Sequence, residues 1–569
     1  MKTPIIQTKN ATYEYFRRDT EGNVEAISAA ISNLNIEVAE GSFLSIVGAN
    51  GSGKSTLARL LNALNMPTEG TVYVNGHDTK DMAYNQEIHQ TVGVVFQNPD
   101  NQIVGTTLES DTAFGLENLK IESKKIRERV DDTLKIIGLD GYQTYPVSKL
   151  SGGQKQKAAL AGVLAMKPRC IILDEATAML DPVSRHQIME LVQQLHRKYH
   201  ITIIQITHFM EEVQESEYVF ALADGQLVFS GTPDALFANA EVVSRCALRL
   251  PLSVELKQAF AQHGILDTQT LSQQILVQSI RIPDDDVHEC DPRNALIFDH
   301  VSFHYRDQEP DAVADVSLTA GRGECLAICG HTGSGKSTLL QMANGLQKPT
   351  AGSIYYQGKD IWEKGYSHKL LRQKVGLVFQ YPEHQLFGEN VYKDVVFGPY
   401  HMDISKVEAE KRAFEAIRQM GLPDDIYDVS PFALSGGQQR RVAIAGVIAM
   451  QPEILILDEP TAGLDPAGQE ELWDCLEALK RMQNMGIVVV SHNMDEVARH
   501  ADRMLVMNHG KSWMQGSVRQ CFDEIEQIKQ AGLMPPAVSI EAERLRQAGL
   551  PIPRGIIKKE ELFAALGWK

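Results

Sequence analysis

Two nearly identical segments, Gly48-Ala-Asn-Gly-Ser-Gly-Lys-Ser-Thr56 and Gly330-His-Thr-Gly-Ser-Gly-Lys-Ser-Thr338, stand half a chain apart in this sequence. The same register, drifting only slightly, persists downstream: Gln97 recurs as Gln380, Ser151 as Ser435, Asp174 as Asp458 and His208 as His492. A spacing kept through so many positions marks duplication of a whole folding unit, so any fold assigned to one half must serve the other. The length of 569 residues agrees, being more than one hydrophobic core organises. The tails repeat too, Pro251 and Gly264 recurring as Pro536 and Gly549, with helix-like patterns at 254–262 and 538–548. The expected layout is a first domain over 1–242 with a small C-terminal subdomain over 243–281, a connector over 282–294, a second domain over 295–529 and its subdomain over 530–569. Pro283-Asp-Asp-Asp286 and Asp291-Pro292 supply the chain breakers of the connector, whose acidic run reads as solvated.

Composition removes several classes of function. With 43% hydrophobic and 22% charged residues the chain reads as packed and globular. Its apolar runs, such as 454–457, end at charged residues far short of a membrane span. The opening Met1-Lys-Thr-Pro-Ile-Ile-Gln7 lacks the apolar core of a secretory signal, so a cytosolic setting is expected. A net charge of -18 argues against broad nucleic-acid binding. Seven cysteines without a C-x-x-C pair read as free thiols, and Cys325 and Cys329, close together on an expected strand, read as buried packing rather than metal ligands.

The duplicated segment has the makings of a phosphate cradle. Short apolar strands at 43–47 and 325–329 enter the glycine-rich turns, and helical patterning follows at 55–62 and 337–344. In such a P-loop, Gly48, Asn50, Gly51, Ser52 and Gly53, with Gly330, Thr332, Gly333, Ser334 and Gly335, close backbone N–H groups around phosphate at a helix N-terminus. Lys54 and Lys336 are placed to reach the β- and γ-phosphates, Ser55 and Ser337 to ligate Mg2+, and Thr56 and Thr338 to donate to phosphate. Farther on, Cys170-Ile-Ile-Leu-Asp-Glu175 and Ile454-Leu-Ile-Leu-Asp-Glu459 are buried-strand patterns ending in two carboxylates. Asp174 and Asp458 are expected to position Mg2+, and Glu175 and Glu459 to orient or deprotonate the attacking water.

Leu150-Ser-Gly-Gly-Gln154 and Leu434-Ser-Gly-Gly-Gln438, each heading a helical pattern, resemble the signature of ATP-binding cassette (ABC) proteins. That resemblance implies an α/β fold of two tandem ABC nucleotide-binding domains, each a P-loop NTPase core with a helical subdomain and a small C-terminal subdomain. It implies ATP and Mg2+ as cofactors, and it assigns Ser151, Gly152, Gly153, Ser435, Gly436 and Gly437 to the γ-phosphate of ATP held by the opposite domain. Gln97 and Gln380 take the family's metal-contacting Q-loop position, His208 and His492 its switch histidines, and Asp181 and Asp465 its loop aspartates. Tyr15 and Tyr305 stand at positions like the adenine-stacking aromatic. Tyr13 is a competitor, because Tyr15 lies farther ahead of Gly48 than Tyr305 lies ahead of Gly330. The first signature continues Gln154-Lys-Gln-Lys157 and the second Gln438-Gln-Arg-Arg441, a departure read as tuning.

The segment after each Q-loop glutamine narrows the resemblance. Phe96-Gln-Asn-Pro-Asp-Asn-Gln102 matches Phe379-Gln-Tyr-Pro-Glu-His-Gln385, and Asp111, Phe114 and Gly115 recur as Asp394, Phe397 and Gly398. With Asp174-Glu-Ala-Thr-Ala-Met-Leu-Asp181 like one ATPase type and Asp458-Glu-Pro-Thr-Ala-Gly-Leu-Asp465 like the other, the chain looks like the paired ATPases of energy-coupling factor (ECF) importers, here fused. The resemblance implies a peripheral protein on the cytoplasmic face of the cell membrane, partnered by an integral T-like scaffold and a small solute-binding membrane protein that carries a vitamin or transition-metal ion. Its two cassettes would pair head to tail within the chain, Lys54 working with Ser435 and Lys336 with Ser151. The rival reading is a soluble twin-cassette ATPase acting on ribosomes, a group that carries a long charged helical insertion where this chain has a short acidic connector. DNA-repair cassettes would need coiled-coil arms or zinc-binding cysteines.

Overall fold

The computed structural model describes residues 4–18, 24–263, 295–306 and 310–568. The connector expected over 282–294 and the latter part of the first tail, 264–281, lie outside the described residues. The chain divides into two compact units, 1–255 and 256–569, each taken by itself below.

In the first unit, β1 (Pro4–Arg18), β2 (Val24–Leu34), β3 (Glu37–Ala39), β5 (Glu69–Val74) and β6 (His77–Asp78) build an antiparallel sheet ordered β2-β1-β5-β6, with β3 also on β1. A second sheet is built from β4 (Phe43–Val47), β7 (Val92–Val95), β8 (Cys170–Asp174), β9 (Thr202–Ile206), β10 (Tyr218–Ala223) and β11 (Gln226–Gly231), in the order β11-β10-β4-β9-β8-β7. All its neighbours pair in parallel except β10 and β11. Strands β4, β8 and β9 are buried at every residue, as parallel strands covered on both faces must be. Alternation then sorts each strand between two cores. Cys170 and Ile172 pack with Leu57, Leu60 and the antiparallel sheet, while Ile171 and Leu173 pack with Leu134, Leu160 and the other helices.

The second unit repeats this plan. Its antiparallel sheet takes β12 (Leu296–Phe303), β13 (Val313–Ala320), β15 (Ala351–Tyr356) and β16 (Lys359–Asp360) in the order β13-β12-β15-β16. Its main sheet takes β14 (Cys325–Cys329), β17 (Val375–Val378), β18 (Ile454–Asp458), β19 (Gly486–Val490), β20 (Arg503–Asn508) and β21 (Lys511–Ser517) in the order β17-β18-β19-β14-β20-β21. Cys325, Ala327 and Cys329 face one core and Leu326 and Ile328 the other, so the two thiols do share a face. Both are buried, and burial pushes both thiols up to about 12. The C-terminal helices Ile525–Gln530, Ala537–Gln547 and Lys559–Ala565 continue this unit. Ile528, Ala531, Leu533 and Ile557 join its core, and Arg519 grips Glu561 through two guanidinium nitrogens.

Among the described residues no helix is long and apolar enough to cross a membrane.

Candidate functional site

In both units an inner strand of the main sheet, β4 or β14, ends in the glycine-rich turn and is followed at once by a helix, Lys54–Leu61 or Lys336–Ala343. The turn is possible only with glycine. Gly53 caps the helix at φ +99°, and a Cβ there would lie 2.4 Å from the Ala30 carbonyl oxygen. Gly335 repeats this at φ +100° with a Cβ 2.2 Å from the Ala312 oxygen. Both lysines are buried and folded over the turn: Lys54 Nζ donates to Gly48 O and Ala49 O at 2.9 Å each, and Lys336 Nζ to Gly330 O at 2.7 Å and His331 O at 2.9 Å. These bonds hold each ammonium group over its glycine-rich turn. The hydroxyls of Ser52 and Ser334 are buried in the turns with no hydrogen-bond partner among the described residues, which suits a cradle completed by a polar ligand.

Next to each turn lies the acidic strand end. Ser55 Oγ donates to Asp174 at 3.0 Å, and Ser337 Oγ to Asp458 at 2.9 Å. Burial holds both aspartates above the usual carboxylate range, opposed by these hydroxyls and by Lys54 or Lys336. A buried carboxylate and a hydroxyl side by side form the donor set that a hard divalent cation takes, and the residues fit Mg2+. Glu175 and Glu459 follow with φ +50° and +49°, a left-handed backbone that a residue with a Cβ adopts only where the surroundings enforce it. The enforcement is visible: each glutamate's N–H is held by the neighbouring strand, Glu175 to Ile206 O and Glu459 to Val490 O, both at 3.0 Å.

The predicted glutamines and histidines converge on these two glutamates. Gln97 Nε2 donates to Glu175 at 3.1 Å, and Gln380 Nε2 to Glu459 at 3.0 Å. The histidines differ between units: His492 Nδ1 stands 3.2 Å from Glu459, and His208 Nδ1 stands 4.0 Å from Glu175. Burial opposes ionisation of Glu459, yet His492, Lys336 and Gln380 outweigh it and hold its carboxyl below the ordinary value. In the first unit Phe209, next to His208, carries the Arg185 guanidinium 3.5 Å above its ring, where the second unit has Asn493 and Gln469.

Tyr15 and Tyr305 prove equivalent despite their unequal spacing. Each hydroxyl meets the threonine of its P-loop helix, Tyr15 to Thr56 at 3.3 Å and Tyr305 to Thr338 at 2.9 Å. Each ring is exposed, 44% and 58%, and stands edge-on to a ring 5.0 Å away, Tyr13 or Phe303. Tyr13 therefore matches Phe303 as the packed partner.

The signature serines are N-caps. Ser151 Oγ and Ser435 Oγ accept from the N–H of Gln154 and Gln438 at 3.3 Å, and the glutamine side chains reach back to the serine N–H. Both serines and the glycines after them, Gly152 and Gly436, are exposed, leaving a helix N-terminus open to an anion. Asp181 and Asp465 likewise cap the helices Pro182–Tyr199 and Pro466–Gln483, with proline at the first helical position.

Sequence reasoning missed a supporting pair. Thr177 Oγ1 donates to Glu212 at 2.6 Å and Thr461 Oγ1 to Glu496 at 2.8 Å, tying the turn after each glutamate to the helix after each histidine. Both acids are buried, and burial raises Glu212. The recurrence of Glu212 as Glu496, in the same register as the histidines, was the available signal.

Comparison with known proteins agrees with this geometry. The ABC transporter family model matches 31–178 and 313–462, once in each unit. A protein of Methanosarcina acetivorans described as an ABC transporter ATP-binding protein is 32% identical over 97% of this chain and 92% of its own length. The energy-coupling factor transporter ATP-binding protein EcfA2 of Caldanaerobacter subterraneus is 47% identical over 46% of this chain and 93% of its own length. Among solved structures, CbiO1 of Clostridium perfringens, described as part of the ABC transporter complex cbiONQ, is 33% identical over 45% of this chain and all of its own, with a TM-score of 0.39. The chain belongs to the ABC transporter family, as a twin-cassette ATP-binding protein that hydrolyses ATP.

Proposed function

We propose that this chain is the complete ATPase pair of an ECF-type importer. The observation that carries the reading is an aromatic surface that recurs beside both Q-loops. Phe114 and Phe397, each on a helix after its Q-loop segment, are 49% and 48% exposed, and Val104 and Phe387, ten residues earlier in the connecting loops, are exposed as well. Water-exposed phenyl rings at the same place in both units call for a partner that covers them. The loops beneath are built to be stiff: Asp111, buried, accepts from Val104 N and Gly105 N at 2.8 and 2.9 Å, and Asp394 accepts from Phe387 N and Gly388 N at 2.8 and 2.7 Å. The likeness of one half to EcfA2 supports the same choice of partner, a membrane scaffold of the T type beside a small protein that binds a vitamin or transition-metal ion.

In this reading Glu175 and Glu459 act on the attacking water, with His208 and His492 at the γ-phosphate. Ser55, Gln97 and Asp174, and Ser337, Gln380 and Asp458, would hold Mg2+, which would supply charge neutralisation at the phosphates. Tyr15 and Tyr305 stack on adenine, and Ser151 and Ser435 each complete the site of the opposite P-loop. The protein works as a peripheral component at the cytoplasmic face of the membrane.

Tagged chain expressed in its native host and extracted in mild detergent tests this. Co-purification of a T-like integral protein with a small solute-binding membrane protein is the expected result, diminished when Phe114 and Phe397 are replaced by Asp. Recovery of ribosomes without membrane proteins overturns it.

A further inference from the structure

The second unit contains a linkage that its counterpart residues in the first do not make. Arg440 lies on the helix Gly436–Ile448, which the signature Ser435 caps, and its side chain is only 4% exposed. On one side the guanidinium grips Glu383 of the Q-loop segment, Nε to Oε2 at 3.1 Å and Nη2 to Oε1 at 2.9 Å. On the other, Nη1 donates to the carbonyls of Pro460, at 3.0 Å, and Ala462. Pro460 follows the left-handed Glu459 directly, and the Ala462 N–H closes that turn onto Glu459 O at 3.2 Å.

One planar, rigid side chain therefore joins three segments: the Q-loop, the signature helix and the turn that fixes Glu459. A guanidinium is suited to this, because it presents a fork to a carboxylate while keeping further N–H groups for carbonyls. The first unit has Gln156 at the matching position, and its Nε2 donates to Phe96 O at 3.4 Å. Asp100, the match of Glu383, pairs instead with Lys155.

We propose that Arg440 is a positioning residue for hydrolysis at the second ATP site, holding the Glu459 turn in register with Glu383 so that displacement of the Q-loop segment displaces the catalytic carboxylate. The first site, with Gln156 in place of the arginine, hydrolyses without this dependence. The inference needs only the ATPase; that a membrane partner moves the Q-loop is the separate reading above.

The test uses the full chain in a Glu175→Gln background, where turnover reports the second site. Arg440→Gln places there the residue that the first unit tolerates, so folding is expected to survive. The expected result is a kcat lowered about tenfold with the KM for ATP within twofold, an equal loss in Glu383→Gln, and no further loss in the double variant. Amide exchange in 461–465 rises equally in all three, and Arg440→Lys recovers little, since one ammonium nitrogen lacks the span by which three guanidinium nitrogens reach the carboxylate and both carbonyls. In the opposite background, Glu459→Gln, replacing Gln156 by Ala leaves kcat within twofold. Additive losses, a changed KM with unchanged kcat, or unaltered exchange in 461–465 would each overturn the proposal, and none of these depends on a membrane partner.

Discussion

At the scale of the residue, the acidic strand ends set neighbouring carboxylates against each other. Burial raises Asp458 above its ordinary value while His492, Lys336 and Gln380 overcome burial to lower Glu459. A carboxyl raised in the folded state loses stability as pH climbs from its unfolded value through its folded one, and the full cost is present above that. Asp458→Asn removes that cost and keeps an acceptor for Ser337. In nucleotide-free protein at pH 8 its Tm should equal or exceed that of the parent, the gain vanishing toward pH 3, while the ATPase of the second site falls about 100-fold or more. Differential scanning calorimetry across that range checks it, and a lower Tm at pH 8 would show that the carboxylate is not strained. The site residues were legible where local chemistry demanded them: only glycine fits at Gly53, and only a lysine next to a cradle reaches phosphate. Arg440 was not, because its bonds join segments that lie far apart in sequence.

At the scale of the element, the helix beginning at Gly436 has one end doing two jobs. Ser435 caps it, and in the proposed pairing the same hydroxyl meets the γ-phosphate of the opposite site. Aspartate separates the jobs, because it caps as well as serine but brings charge against phosphate. Ser435→Asp should hold its Tm within about 2 °C of the parent, and Ser435→Ala should lose about 1 kcal/mol of stability. ATP turnover in the Asp variant should fall about 100-fold; turnover like that of the parent would place the serine away from phosphate. The strands and helices that flank the motifs were readable from period and punctuation, as at 43–47 and 325–329. The uneven spacing of Tyr15 and Tyr305 was not, because it arises in the first hairpin, where β1 and β2 span 15 and 11 residues against 8 and 8 for β12 and β13. Hairpin length is set by pairing partners, which a linear pattern does not reveal.

At the scale of the whole molecule, the duplication was the most legible fact, since one slowly drifting register relates the landmarks of the two halves from the P-loops onward. Less visible was how differently the copies are braced: Arg185 over Phe209 in one, and Arg440 across Glu383 in the other. The cysteines, read in sequence as mere packing, have a use of their own. Cys329 ends β14 directly before the P-loop, fully enclosed and with its thiol pushed up to about 12. It is inert until that strand is uncovered, so its alkylation rate is a clock for excursions of the fold around the nucleotide. Maleimide modification at Cys329, followed by peptide mass spectrometry, should be slow in the native chain and slower with ATP, about 100-fold when ATP stands at 100 times its Kd. Equal rates with and without ATP would mean that the strand opens while the nucleotide stays bound. The protein thus carries a built-in gauge at its phosphate cradle, one that reads ligand occupancy through a residue of its own.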